Sequence, residues 1–135
     1  MNIYIAAPAT ERAHAYDVQR LLEHYPDFHV TARWITLELF EKKDKDPVYL
    51  AEWAEKDLAD VLSSDLLIAL NDEAYRNKGS GGRHVEFGYA LHANIPVIVV
   101  GARTNIFHWL KNVKFVENLA EMLAEVHHIY NETYK

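Results

Sequence analysis

The chain of 135 residues contains no cysteine. That single absence removes disulfide scaffolds, thiol nucleophiles, thiolate zinc sites and iron–sulfur clusters. It also fits a cytoplasmic setting, where structural disulfides are rare. Glycine and proline are sparse, at 5 and 4 residues, and no segment is repeated or low in complexity. Positive charge is short: 14 Lys and Arg against 20 Asp and Glu leave a formal charge of −6 and a pI near 5.7. A broad nucleic-acid footprint needs clustered cations, so no nucleic-acid polymer is expected as a partner. No apolar run approaches the roughly 18–20 residues of a membrane span, so no membrane partner is expected either. Residues 1–8 lack the basic region of a secretion signal and are too short to be one.

What is present is core-forming material. Half of the residues are hydrophobic and 12% are aromatic, a composition that folds rather than staying disordered. One domain over residues 1–135 is expected, because single domains commonly run roughly 100–150 residues.

The apolar runs set the order of elements. Ile3-Tyr4-Ile5-Ala6, ended by Pro8, reads as a buried strand. Thr10 is a plausible N-cap for a helix running to about Tyr25. Residues 28–34, with β-branched Val30 and Thr31, read as a second strand, and the charge run 41–46 as a solvated loop. A helix follows Pro47, and residues 65–70 form a third strand. The polar loop 71–82 ends in Gly79-Ser80-Gly81-Gly82; a helix over about 83–93 and a strand over 96–100 come next. Residues 105–110 fit a short helix and 113–116 a last strand. Leu119, Met122, Leu123, Val126, Ile129 and Tyr130 then mark a final helix by their 3- and 4-residue steps. Strands that alternate with helices and read as continuous apolar runs imply a parallel sheet covered on both faces. The fold class expected is α/β: a five-stranded, doubly wound, flavodoxin-like or Rossmann-like sheet. Such sheets bind ligands beyond the carboxyl ends of their strands, which points to the loops after Ala6, Leu70 and Val100.

Two acids do not fit their surroundings. Leu50, Trp53, Ala54, Leu58, Val61 and Leu62 define an apolar stripe, and Asp57 falls inside it. An inward carboxylate costs several kcal/mol unless paired or hydrogen-bonded. Asp57 is therefore either an edge residue reaching solvent or a site carboxylate. Glu86 follows the glycine-rich loop, in what reads as the first turn of the next helix. There the helix dipole favours its ionised form, as a nucleophile requires; the alternative is a Glu that merely complements the dipole. Two carboxylates meeting in one pocket can divide glycosidic cleavage between nucleophile and proton donor or base.

Other motifs fail. The glycine loop lacks the Lys-Ser/Thr of a P-loop and the spacing of a dinucleotide fingerprint. His84-Val85-Glu86 has the H-x-E look of zinc deaminases, which need cysteine ligands absent here. His127 and His128 lie about 100° apart on their helix, which suits chelation poorly and makes them surface residues. The first strand is followed neither by the acids of a receiver domain nor by the phosphate loop of a flavodoxin.

Four segments together resemble the nucleoside 2-deoxyribosyltransferase family. Ile3-Tyr4-Ile5-Ala6-Ala7-Pro8 resembles its first strand, whose tyrosine borders the pocket. Asp57-Leu58, eight residues before Asp65, is similar to its helix aspartate placed before an Asp-led strand. The run from Gly82 to Leu91, with Glu86-Phe87-Gly88-Tyr89-Ala90, resembles its Glu-x-Gly-Tyr-Ala signature. Asn105-Ile106-Phe107-His108-Trp109 resembles a segment that, in family members, reaches into a neighbouring subunit's site. The resemblance implies that Glu86 attacks the anomeric carbon of a 2-deoxyribonucleoside and that Asp57 exchanges a proton with the departing and incoming bases. Tyr4, Ala6, Ala7, Asp72, Ser80, Gly82, Tyr89, Asn105 and His108 would line the substrate site. No metal or cofactor is implied; the partners would be a nucleoside or nucleotide and a nucleobase, in a homo-oligomer with sites at subunit interfaces. Aromatic walls are expected from Tyr4, Phe87, Tyr89 and Trp109.

One position departs from the pattern. Family members acting on free nucleosides usually carry an acid six residues before the nucleophile, where this chain has Ser80. The related deoxynucleoside 5-monophosphate N-hydrolases have a serine there, against the phosphate. Arg76, Lys78, Arg83 and His84 would also favour an anion, whereas residues 7–12 lack the Ser/Arg/Gly-rich phosphate loop of those hydrolases. In an extended loop, Asp72 could take the acid's place. A non-catalytic nucleotide-binding module is the third reading.

Overall fold

The computed structural model describes residues 1–36 and 46–135. The charge run expected to be a solvated loop lies outside them except for Asp46. Along the chain run β1 (Asn2–Ala6), α1 (Arg12–Glu23), β2 (His29–Val30), α2 (Pro47–Leu62), β3 (Leu66–Asn71), α3 (Gly82–His92), β4 (Val97–Gly101), β5 (Val113–Val116) and α4 (Leu119–Tyr134). The five strands are all parallel and lie in the order β2-β1-β3-β4-β5. This is the doubly wound α/β, flavodoxin-like arrangement expected from the apolar runs.

Burial explains the runs. Ile3, Tyr4, Ile5, Leu66, Leu67 and Ile68 are fully buried, because a central parallel strand is covered on both faces and has no polar side to alternate with. Asp65 sits just outside that core and accepts the Asn2 amide at 2.8 Å, pinning the start of β3 to β1. The helices pair: α2 packs on α3, while Tyr25 and Phe28, both beyond the end of α1, meet His127 and Tyr130 of α4 ring to ring. His127 is thus half-buried against aromatics, and only His128 is exposed.

Local chemistry sets the helix ends. Asp46 caps α2 by accepting the Val48 amide, with Pro47 at the first helical position. Asn118 caps α4 by accepting the Glu121 amide at 2.9 Å. Thr10 does not cap α1; it lies inside a 3₁₀ turn, Ala9–Glu11, and Glu11 precedes the helix without a side-chain cap. The second strand is also shorter than its β-branched residues imply. Only His29 and Val30 pair with β1, because Arg33–Ile35 folds into a 3₁₀ turn held from three sides. Arg33 bonds Asp60 of α2, the Trp34 indole N–H donates to Ile5 O at 3.0 Å, and Arg12 Nε donates to Ile35 O at 2.7 Å.

Candidate active site

Between β1 and β3 the order of strands reverses relative to the chain, and the loops leaving the two strands diverge there. A cavity of about 310 Å³ opens at this point, lined by residues 7–10, Trp34, Asp57, residues 79–83 and Glu86. Its volume suits a sugar with part of a base.

The cavity's floor is built on β1. Tyr4 is fully buried, and its hydroxyl donates to Glu86 Oε2 at 2.5 Å. Burial, with Glu86 and Asp57 nearby, pushes the Tyr4 phenol far above its ordinary range, so it acts only as a donor. Glu86 is the fifth residue of α3. It therefore lies in the second turn, not the first, where the dipole argument for a permanent carboxylate loses its force. Burial instead pushes its pKa up to about 8, against the lowering effect of the Tyr4 bond, and Asp57 and Asp60 push the same way. Free Glu86 thus holds its proton at neutral pH.

The second acid comes from α2. That helix turns Trp53, Asp60 and Val61 inward, with Asp57 and Leu58 half-buried, while Leu50, Ala54 and Leu62 are exposed. Asp57 therefore sits on the inner face itself. Its Oδ1 is buried with no hydrogen-bond partner among the described residues. Its pKa is raised to about 6, first by burial and then by Asp60, with Arg33 partly opposing.

The third wall is the glycine loop. Gly79 and Gly81 take φ of +75° and +90°, left-handed conformations that glycine adopts without penalty. Arg83, 7% exposed, ties the loop down: Nη1 donates to Lys78 O and Nη2 to Tyr75 O, both at 2.8 Å. Its Nε is buried without a partner, and no carboxylate pairs with it among the described residues. Of the other cations expected to favour an anion, Arg76 pairs with Glu73 and Lys78 with Glu11, each at 2.6 Å, and His84 is exposed.

The structure thus gathers Ala7, Asp57, Ser80, Gly82 and Glu86 around one cavity, with Tyr4 directly beneath. Ala6 ends β1, fully buried opposite Ala69. Tyr89 packs against the core from α3. Asp72 faces a different cavity, beside β3 and β4, and accepts the Ala74 amide at 2.8 Å. Asn105 caps the turn Ile106–Trp109 by accepting the Phe107 amide. His108, 2% exposed, accepts the Thr104 amide and meets the Phe87 ring edge-on. Asn105 and His108 therefore do not reach the cavity of their own chain.

The walls also differ from expectation. Phe87 faces the core, and Trp109 is exposed with the Arg103 guanidinium 4.1 Å over its ring; that guanidinium lies 4.3 Å from the Phe115 ring. The aromatic wall is Trp34, which the sequence reading passed over, and Pro8, Ala9 and Thr10 complete the rim. Trp34 carried no signal of its own; only its tethers to Ile5 and, through Arg33, to Asp60 reveal it. Asp60 was also missed, although its i,i+3 spacing from Asp57 places both on one face.

No protein-family model and no curated protein matches the chain. Solved structures do. The CMP N-glycosidase BcmB of Clostridium botulinum aligns with a TM-score of 0.61 at 20% identity, over 96% of this chain and 100% of that one. A 2-deoxyribosyltransferase of Bacillus psychrosaccharolyticus aligns with a TM-score of 0.65 at 18% identity, over 90% of each chain. The class is a doubly wound parallel α/β fold with its cavity at the switch in strand order. Within that class, the chain has the nucleoside 2-deoxyribosyltransferase-like fold.

Proposed function

We propose that the chain cleaves the N-glycosidic bond of a 2-deoxyribonucleoside and passes the deoxyribosyl group to a second nucleobase. The observation that carries this reading is the pair Asp57 and Glu86 on one sugar-sized cavity, with the Tyr4 hydroxyl on Glu86. Between about pH 6 and 8 these two carboxyls share one proton. The chemistry needs that count. As positive charge develops at C1′, it draws ionisation to Glu86 and leaves the proton to Asp57.

A Glu86 carboxylate oxygen bonds to C1′ while the C1′–N bond breaks. The electron pair goes to the departing base, which takes the Asp57 proton. The incoming base then attacks C1′ through a ring nitrogen and gives its proton to the Asp57 carboxylate. The ester bond breaks, and its electrons return to Glu86. Tyr4 steadies the nucleophile, and Trp34 walls the cavity from water. A 2-deoxy sugar lacks the electron-withdrawing 2-hydroxyl, so its oxocarbenium-like state forms readily and two acids suffice. Water in place of the incoming base gives hydrolysis.

A second reading has its own support. Ser80 and the carboxylate-free Arg83 line the cavity, no acid besides Asp57 and Glu86 does so among the described residues, and Asp72 lies elsewhere. That lining favours a 5-monophosphate and hydrolysis. Incubation with thymidine and adenine separates the two. Deoxyadenosine and thymine, with a deoxyribosyl adduct on a Glu86 peptide by mass spectrometry, support transfer. Free sugar phosphate from dCMP, dGMP, dTMP or CMP, without base exchange, supports hydrolysis. Ligand binding without turnover would leave a nucleotide-binding module. The exposed Ile106, Phe107, Trp109 and Leu110 are proposed to meet a second copy of the chain.

A further inference from the structure

Asp60 is the most buried acid described, at 6% exposure, and the N-glycosidic mechanism leaves it without a task. It does not line the cavity. A buried carboxylate is retained only with thorough pairing, and Asp60 has it. Oδ2 accepts the Arg33 amide at 3.0 Å, and Oδ1 accepts Arg33 Nε at 3.0 Å and lies 2.9 Å from Nη2. The residue's carbonyl accepts the Thr31 and Ser63 hydroxyls, both at 3.0 Å. Every long-range partner lies in the segment that brings Trp34 to the cavity. Residues 33–35 of that segment form a 3₁₀ turn instead of strand, and the pairing ties it to α2.

Asp60 also stands three residues from Asp57 on the same helix face. Among the described residues, the charged or titratable groups around Asp57 are Asp60 from its own helix, Arg33 from the 3₁₀ turn, Glu86 from α3, Tyr4 from β1, and Arg83 of α3, which lines the same cavity. Of these, Asp60 and Arg33 form an ion pair, Oδ1 to Nη2 at 2.9 Å.

We infer that Asp60, paired with Arg33, is a positioning residue: it fixes the Trp34 wall to the helix that bears the proton donor and sets this ion pair beside Asp57. Neither residue touches substrate. Asp60 favours the protonated form of Asp57, whereas Arg33 tempers that effect so that the proton can still be released. In the two-carboxyl site, the Asp60 charge sits on Asp57's own helix, three residues away, and biases the shared proton toward the residue that must give it away.

The inference rests on the N-glycosidic reading, but its test does not need turnover. In protein labelled with ¹³C at the aspartate carboxyl carbon, the Asp57 resonance is assigned by its loss in Asp57→Asn and followed through pH. Asp60→Asn should lower its midpoint by about half to one pH unit, and Arg33→Gln should raise it. The neutral double variant R33Q/D60N keeps no unpaired buried charge and should bring the midpoint back toward the wild-type value. It also serves as the reference where a single variant does not fold. In the active enzyme, D60N should move the alkaline limb of kcat to lower pH, with KM within about twofold. Midpoints that move in the same direction in both single variants, or a midpoint unmoved in D60N and far from wild type in the double variant, would overturn the inference and leave only a staple. A wild-type chain with the opposed midpoints but no glycosidic activity would sink the N-glycosidic reading alone.

Discussion

Along the carboxyl edge of the sheet, one cavity of about 310 Å³ opens beside β1 and β3, and another of about 250 Å³ opens beside β3 and β4. Both contain acids. In the second, Asp72 and Glu117 are exposed, and Asp72 spends its carboxylate on a local turn. In the first, α2 and α3 close over Asp57 and Glu86, no cation bonds either carboxyl among the described residues, and both hold their protons above the usual range. Size and the number of acids do not separate the two cavities. What separates them is whether helices converge on the acids, which happens where the strand order reverses.

The sharpest way to break this contrast is to remove one acid from each cavity. Glu86→Ala should abolish base exchange, by about 10³-fold or more, because the sugar loses its covalent acceptor. Asp72→Asn should stay within about threefold; equal losses in a chromatographic exchange assay would erase the distinction. Asp57→Asn should lower kcat by roughly 10²–10⁴-fold with natural bases, and far less with a p-nitrophenyl leaving group that needs no proton. The pH profile sharpens the argument further. With one proton required on the pair, kcat/KM should peak between about pH 6 and 8 and fall roughly tenfold per pH unit beyond each limb.

Stability should show the same burial with the sign reversed. Glu86 binds its proton more tightly folded than unfolded, so its contribution to stability is fully present below about pH 4.5, is lost as pH rises toward about 8 and levels off beyond. Glu86→Gln should therefore raise Tm by several °C at pH 8–9, on the order of a few kcal/mol, and change little at pH 4. The smallest effect is expected away from both cavities. Phe107→Asp should change monomer stability by no more than about 0.5 kcal/mol, yet light scattering should move from an oligomer to a 15.6 kDa species.

The sheet was legible because its strands are buried on both faces: Ile3, Ile5, Leu67, Ile68 and Ile98 announce themselves without any tertiary information. The edge was not. Residues 31–35 carry a strand-like composition, and only the long-range bonds of Arg33, Trp34 and Ile35 turn them aside. The two cavity acids were legible as misfits, Asp57 in an apolar stripe and Glu86 behind a glycine turn. Their proton affinities were not, since those depend on how completely other elements cover them; the reading of Glu86 as a standing carboxylate failed for that reason. Asp72 and Ser80 are both polar residues of one loop, and only the folded chain shows that Ser80 faces the two acids while Asp72 faces the other way.

The Arg103 guanidinium lies within ring-contact distance of both Trp109 and Phe115. Ile106–Trp109 is therefore braced before anything touches it, with Asn105 capping one end and the buried His108 anchoring the middle. A surface that arrives there need not freeze a floppy segment, so association through this turn surrenders little conformational entropy. Its affinity should depend on how well the opposing face fits, more than on how much disorder must be quenched.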